Sequence, residues 1–191
     1  MNRQNIICLP HKSLRKKSSN VRASDKDIKK LVKDMEQAGF DWQKHHPHEH
    51  FVGLAGVQVN ILKKIVIVRQ DIHDKSNNNF VTYLNPKLIK GYGKIEYDYE
   101  GCLSVPNKIY GLVPRWSKIK FKATDLEGNE VRIKLDGFAA RLMQHEIDHT
   151  NGVVFVDHIK DDDEAWYKIN DKGKMEQMDY DKIQKSDLLW K

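Results

Sequence analysis

The chain has 191 residues, 39% hydrophobic and 31% charged, with a formal net charge of +6. At ~150 residues per domain, this length favours a single domain over residues 1–191, large enough to bury a core without disulfide staples. Nothing approaches the ~18 consecutive apolar residues of a membrane span, and the two cysteines, Cys8 and Cys102, cannot build a disulfide framework.

The first apolar run, Ile6 to Leu9, is too short for a signal-peptide core, so a cytoplasmic protein is expected. The one concentrated basic run is Lys12, Arg15, Lys16 and Lys17, and no zinc-finger or RNA-platform motif accompanies it. Specific nucleic-acid recognition is therefore excluded as the main function. A weak electrostatic pull towards a polyanionic surface stays open.

The first predicted element is a helix from Asp25 to about Ala38. Ser24 and Asp27 mark its start, Gly39 its stop, and Ile28, Leu31, Val32, Met35 and Ala38 form one apolar stripe. Asp41 to His50 reads as a histidine-rich exposed loop. Strands are predicted at Leu54 to Val59, Lys64 to Arg69 and Phe80 to Leu84, with a polar loop from Asp71 to Asn79.

A further strand is predicted at Lys94 to Tyr99. Lys118 to Ala123 and Val131 to Leu135 alternate as a hairpin around the turn Leu126-Glu127-Gly128-Asn129. Phe138 to His149 is a second helix, stopped by Asn151-Gly152 and followed by a short strand from Val153 to Val156. The tail, residues 160–191, is mixed and open to variation, with a helix from Tyr180. Trp116 and Trp166 are expected to be packing residues. Strands grouped ahead of a helix indicate an α+β fold.

The sharpest chemical signal is Gln144-His145-Glu146-Ile147-Asp148-His149. On a helix, His145 and His149 lie one turn apart on one face, so both imidazoles can reach one metal ion. Glu146 stands beside the first, where a carboxylate can take a proton from an activated water. The histidines extend the apolar stripe of Phe138 and Leu142, which places the centre at the end of the core.

A catalytic centre needs a third protein ligand. The extended protease pattern would put a histidine at 155, where this chain has Phe155. Glu164 and Glu176 fit a second protease pattern and stay open. Upstream, Cys102 in Glu100-Gly101-Cys102-Leu103-Ser104 offers a soft thiolate. A third segment, Val52-Gly53-Leu54-Ala55-Gly56-Val57-Gln58, has small residues that allow close backbone approach and a glutamine amide donor.

Taken together, these segments resemble the peptide deformylase family. The motifs occur in that family's order as Gly53-Leu54-Ala55-x-x-Gln58, Glu100-Gly101-Cys102-Leu103-Ser104 and Gln144-His145-Glu146-x-Asp148-His149, and the likeness runs from about residue 6 to 159. The resemblance implies an α+β fold with antiparallel sheets packed around a central metal-binding helix, plus an N-terminal helix.

It also implies removal of the formyl group from the N-terminal methionine of nascent chains. Cys102, His145 and His149 would be the metal ligands, for Fe²⁺ first and Zn²⁺ or Ni²⁺ otherwise. Glu146 would be the general base and acid, and Gln58 with the Leu103 N–H would hold the oxyanion. Gly53 and Gly101 would line the substrate channel, with Val52 near the methionine pocket. Formyl-methionyl nascent peptides would be the partners, with the ribosome contacted through weak electrostatics.

Three positions depart from the family pattern. Phe51 stands where a glycine is usual and is expected to narrow the channel or reorient its edge; Gly56 replaces an alanine and Thr150 a leucine. His45, His46, His48 and His50 form a tempting second metal site, read here as an exposed loop. Two rival functions remain at this point: a metallopeptidase with a downstream Glu ligand, and a non-catalytic relative that binds N-termini or the ribosome.

Overall fold

The computed structural model describes residues 5–46, 49–72, 74, 77–170 and 173–190. Helix α1 spans Ile28–His45 and is followed by strands β1 (Gly53–Ala55), β2 (Ile65–Arg69), β3 (Phe80–Glu100), β4 (Ile109–Thr124) and β5 (Glu130–Asp136). Helix α2 covers Gly137–Thr150, then come β6 (Trp166–Ile169), β7 (Met175–Gln177), α3 (Tyr180–Gln184) and α4 (Asp187–Trp190). All strand pairs are antiparallel, in the order β1-β2-β3-β4-β6-β7. β4 changes partner along its second edge, pairing β6 at Ile109 to Gly111 and β5 at Lys118 to Thr124.

The sheet wraps α2 because each strand alternates. Ile119, Phe121 and Ala123 of β4 point inward against Ala140, Met143 and Ile147 of α2, joined by Val131, Ile133 and Leu135 of β5. A second apolar cluster fixes α1 on β2 through Ile28, Val32, Met35, Ile65 and Ile67. A third joins Leu9 and Leu14 to Phe155, Trp166, Ile183 and Leu189, so the tail packs back onto the N-terminal segment. Trp166 is fully buried, whereas Trp116 is 39% exposed and lies across the Gly91 backbone. No helix among the described residues is long and apolar enough to cross a membrane.

Several boundaries differ from the sequence expectation. The stretches Phe80 to Leu84 and Lys94 to Tyr99 belong to one strand, β3. Asn85-Pro86 and Gly91-Tyr92-Gly93 lie between these stretches and are absorbed at shifts in the pairing with β4; bulges of this kind bend a strand without ending it. Leu54 to Val59 is not one strand: β1 stops at Ala55, and Gly56–Val59 forms a 3₁₀ turn. Val153 to Val156 is likewise no strand, since Phe155–His158 is a 3₁₀ turn.

Helix α1 starts three residues later than expected and runs well past Gly39 into the supposed loop. Gly39 does not stop the helix. It makes room for a ring: a Cβ there would lie 2.1 Å from Phe51 Cε1. Phe51 is fully buried, edge-on to Phe40 at 6.0 Å and stacked with Phe80 at 4.9 Å. The buried Arg69 guanidinium donates to the Phe51 carbonyl at 3.1 and 3.0 Å. Phe51 thus anchors the segment entering β1 and does not itself line the cleft, so of its two expected effects the narrowing is not seen, while Val52 next to it borders the cleft edge.

This packing sets a test. Gly39→Ala should destabilise the fold by about 1–3 kcal/mol, as overpacked cores do. Phe51→Leu in the same chain should recover part of that loss. Urea unfolding of the two single variants and the double variant reads the coupling.

Candidate active site

The centre forms where α2 passes beneath β1 and the turn that follows β3. The helical repeat places His145 and His149 one above the other, with ring centroids 4.8 Å apart and edge to face. Cys102 arrives from that turn, which a hydrogen bond from Val105 N to the Cys102 carbonyl closes at 3.0 Å. Its Sγ lies 3.2 Å from His149 Nε2. One ligand atom from each of Cys102, His145 and His149 falls within 4.8 Å of the others, the single such group among the described residues. Two imidazoles and a thiol around one point suit a borderline-soft divalent ion and leave a coordination position for a small molecule.

The orientation of His145 is imposed by Glu100, whose Oε2 lies 2.9 Å from His145 Nδ1. With Nδ1–H donating to the carboxylate, Nε2 keeps its lone pair for a metal. Glu100 is buried and is also held by Arg115 at 2.9 and 3.0 Å and by Arg141 Nη1 at 2.7 Å. Burial would raise its pKa, but the hydrogen bonds from His145 and Arg115 outweigh it and hold the carboxyl well below its usual range. Arg141 is itself tied to the Val113 and Glu96 carbonyls at 2.8 and 2.7 Å, pinning α2 to β3 and β4.

Glu146 faces the cleft from the same helix and is 3% exposed. Burial pushes its pKa up to about 7. Its Oε2 has no hydrogen-bond partner among the described residues, an unpaired buried acceptor beside the ligand group. His149 is held neutral, its pKa lowered by burial and by His145.

Gly53 explains why β1 can come so close. A Cβ there would stand 2.8 Å from Glu146 Oε1 and 3.1 Å from Leu142 Cδ1. At Gly101 a Cβ would meet Tyr110 at 2.7 Å.

Gln58 is aimed by the backbone. Its Oε1 accepts from Ala55 N at 2.8 Å, which turns Nε2 towards Cys102 Sγ at 3.5 Å and Ser104 Oγ at 3.3 Å. Val52, Gly53, Gln58, Gly101 and Leu103 line one cleft of about 820 Å³ together with Cys102, His145 and Glu146. Every candidate residue from the three motifs except His149 therefore borders this cleft, and His149 closes the ligand group from the buried side. The cleft mouth carries Trp42 and His46, stacked at 4.0 Å on the last turns of α1.

The other departures also have local causes. A Cβ at Gly56 would meet the Lys63 carbonyl at 2.9 Å, so alanine has no room. Thr150 is buried, with its hydroxyl donating to the Ile147 carbonyl at 2.8 Å. Glu164 and Glu176 are exposed and absent from the ligand group, so the structure does not bring them to the histidines. His45 and His46 bond carbonyls within α1, and His48 lies outside the described residues.

Sequence reasoning assigned no role to Glu100, Arg115, Arg141 or Gln144. The available signal for Arg141 was a lone cation within the apolar helical run Ala139-Ala140-Arg141-Leu142-Met143. Gln144 docks α2 on β4, with Nε2 donating to the Trp116 carbonyl at 2.9 Å and Oε1 accepting from Trp116 N at 3.1 Å.

A thiol, two histidines of one helix and a buried carboxylate between them, on an α+β scaffold, define a metal-dependent hydrolase. A family profile described as polypeptide deformylase matches residues 3–165. A peptide deformylase of Thermomicrobium roseum is 36% identical over 151 residues, covering 78% of this chain and 81% of the relative. Peptide deformylase 1 of Clostridium perfringens is 41% identical over 145 residues, covering 76% and 90%. The crystal structure of a peptide deformylase from Synechococcus elongatus in complex with actinonin superposes with a TM-score of 0.73 at 30% identity, covering 83% of this chain and 82% of that one. The chain belongs to the polypeptide deformylase family.

Glu100→Gln removes the charge that orients His145 while keeping the side-chain volume. It should weaken metal retention about 10–100-fold, the usual effect of losing a partner behind a metal ligand. Competition with a chromophoric chelator measures this, with circular dichroism verifying the fold.

Proposed function

We propose that this protein is a cytoplasmic, single-domain enzyme that hydrolyses the N-formyl group from the N-terminal methionine of nascent polypeptides and releases formate. The observation that carries the reading is the convergence of Cys102, His145 and His149 within 4.8 Å, with the unpaired buried carboxylate oxygen of Glu146 beside them. A divalent ion held by these three ligands, Fe²⁺ first and Zn²⁺ or Ni²⁺ otherwise, would supply Lewis-acid activation of a water and of the formyl carbonyl.

The remaining steps belong to the chain. Glu146 accepts the proton of the attacking water and delivers it to the departing amine nitrogen. Gln58 Nε2, fixed by the Ala55 N–H, donates to the oxyanion as it develops, with the Leu103 backbone N–H as second donor. Val52, Gly53 and Gly101 border the space for the methionine residue, and Gly53 lets β1 lie directly against Glu146. The net charge of +6 supports a second, weaker partnership with the ribosome.

The deciding assay uses protein prepared anaerobically with Fe²⁺, a formyl-methionyl peptide and its unformylated counterpart. Formate release from the first alone is expected; a metal-loaded protein that releases none would sink the proposal. Glu146→Ala should retain the metal and lose at least about 10²-fold in turnover, the contribution of a positioned acid–base group. Cys102→Ser should lose metal at least about tenfold more readily, since a hydroxyl is a far poorer soft-metal ligand than a thiolate. A metallopeptidase with a glutamate ligand would keep its metal in the Cys102→Ser variant.

A further inference from the structure

The face of the sheet turned away from α2 carries a ladder of opposed cations. Register places Lys87 opposite Lys122 and Lys90 opposite Lys120 across β3 and β4. It then places Lys122 opposite Arg132 and Lys120 opposite Lys134 across β4 and β5. The intervening residues of β4 and β5, Phe121 and Ile133, point the other way into the cluster on α2. The six cations therefore share one surface in three adjacent columns.

Strands lie ~4.8 Å apart and alternate residues ~6.8 Å apart, so the charges form a compact lattice. Like charges set directly opposite weaken a sheet. Glu130 compensates one end, pairing Lys122 at 3.2 Å and Arg132 at 2.8 Å. Lys87, Lys90, Lys120 and Lys134 have no ion pair with any described acid. The positive field continues past β3, because Lys17 and Lys87 add to burial in lowering the pKa of Lys64. None of the six cations borders the catalytic cleft.

We propose that this outer face of β3, β4 and β5 is a docking surface for the phosphate backbone of double-stranded RNA. A lattice of long cationic side chains neutralises successive phosphates and releases their counterions, giving affinity without sequence readout. The six positions hold no aromatic side chain, and the nearest ring on this face, Tyr92 opposite Lys118, lies one rung beyond them, so the lattice itself offers unpaired bases no stacking platform, which favours a duplex over a single strand. Ile89, 46% exposed, is the one large exposed apolar side chain in the same stretch of β3. One such residue is too little for the apolar face that a bilayer interface requires.

The choice of RNA rests on the deformylase reading, which brings the protein to nascent chains and hence to ribosomal RNA helices. Binding on this face leaves the cleft mouth open to the peptide.

The test uses the metal-loaded protein and a 20-base-pair RNA duplex of arbitrary sequence, followed by fluorescence anisotropy at about 50 and 200 mM KCl. With four phosphates neutralised, the affinity of the unmodified protein should fall roughly 10²-fold between these salts. K87Q/K90Q/K120Q/K134Q should bind at least about tenfold more weakly at low salt and show a shallower salt dependence. K26Q/K29Q/K30Q/K33Q removes the same charge beside and along α1 and should stay within about threefold of the unmodified protein.

Circular dichroism and thermal unfolding verify both folds, and formate release from a short formyl-methionyl peptide should be unchanged in both variants. Three results would overturn the proposal: no salt-dependent RNA binding, an equal loss in both variants, or tighter binding to phosphatidylserine-containing vesicles than to RNA. Formate release is read separately, so its absence would refute the deformylase assignment without bearing on the ladder.

Discussion

The buried carboxylate of Glu100 is the interaction on which the rest of the site depends. It is the last residue of β3, it accepts from Arg115 of β4, and from α2 it receives both Arg141 and His145. One side chain therefore joins the two longest strands to the metal-binding helix. Charge buried in this way is costly unless every lone pair is used, and here cations surround the carboxylate. The same ion that fixes the layers also selects the His145 tautomer. Packing and metal geometry are consequently not separable: displacing α2 from β3 would turn a ligand as well as open a cavity.

The walls of the cleft are set by close approach. At Gly53 the backbone of β1 comes within reach of Glu146, and at Gly101 the turn after β3 meets the ring of Tyr110. Gln58 owes its direction to a backbone donor three residues earlier, a local hydrogen bond in a fully buried 3₁₀ turn. These are rigid supports. A donor that is already oriented before a substrate arrives loses little entropy on binding and needs little reorganisation during reaction.

Much of this was legible in the sequence because the informative relations are short. His145, Glu146 and His149 lie within one helical turn, and their spacing alone announces a shared face. The hairpin of β4 and β5 is equally local, and its strict alternation gave both strands. The relations of Glu100 are different: Arg115 stands 15 residues away and Arg141 stands 41 away, and no periodicity connects them. The long β3 was hidden because Pro86 and the two glycines at 91 and 93 mark turns in most settings, whereas pairing with β4 carries the strand through them. The end of α1 was misplaced for a related reason. Gly39 is punctuation only when nothing presses against it, and the ring that does so comes from Phe51, twelve positions later.

That pairing of a helical glycine with a distant aromatic ring makes the two positions interdependent. The space above Gly39 admits a ring only when residue 39 lacks a Cβ, and the ring fills a space that would otherwise lie within the core. The dependence is not symmetric. Phenylalanine at 51 facing any side chain at 39 meets a steric clash, whereas glycine at 39 by itself incurs only a helix-propensity loss of about 1 kcal/mol. With both present, neither can be exchanged readily by itself, and the entry to β1 is pinned by a buried aromatic ring.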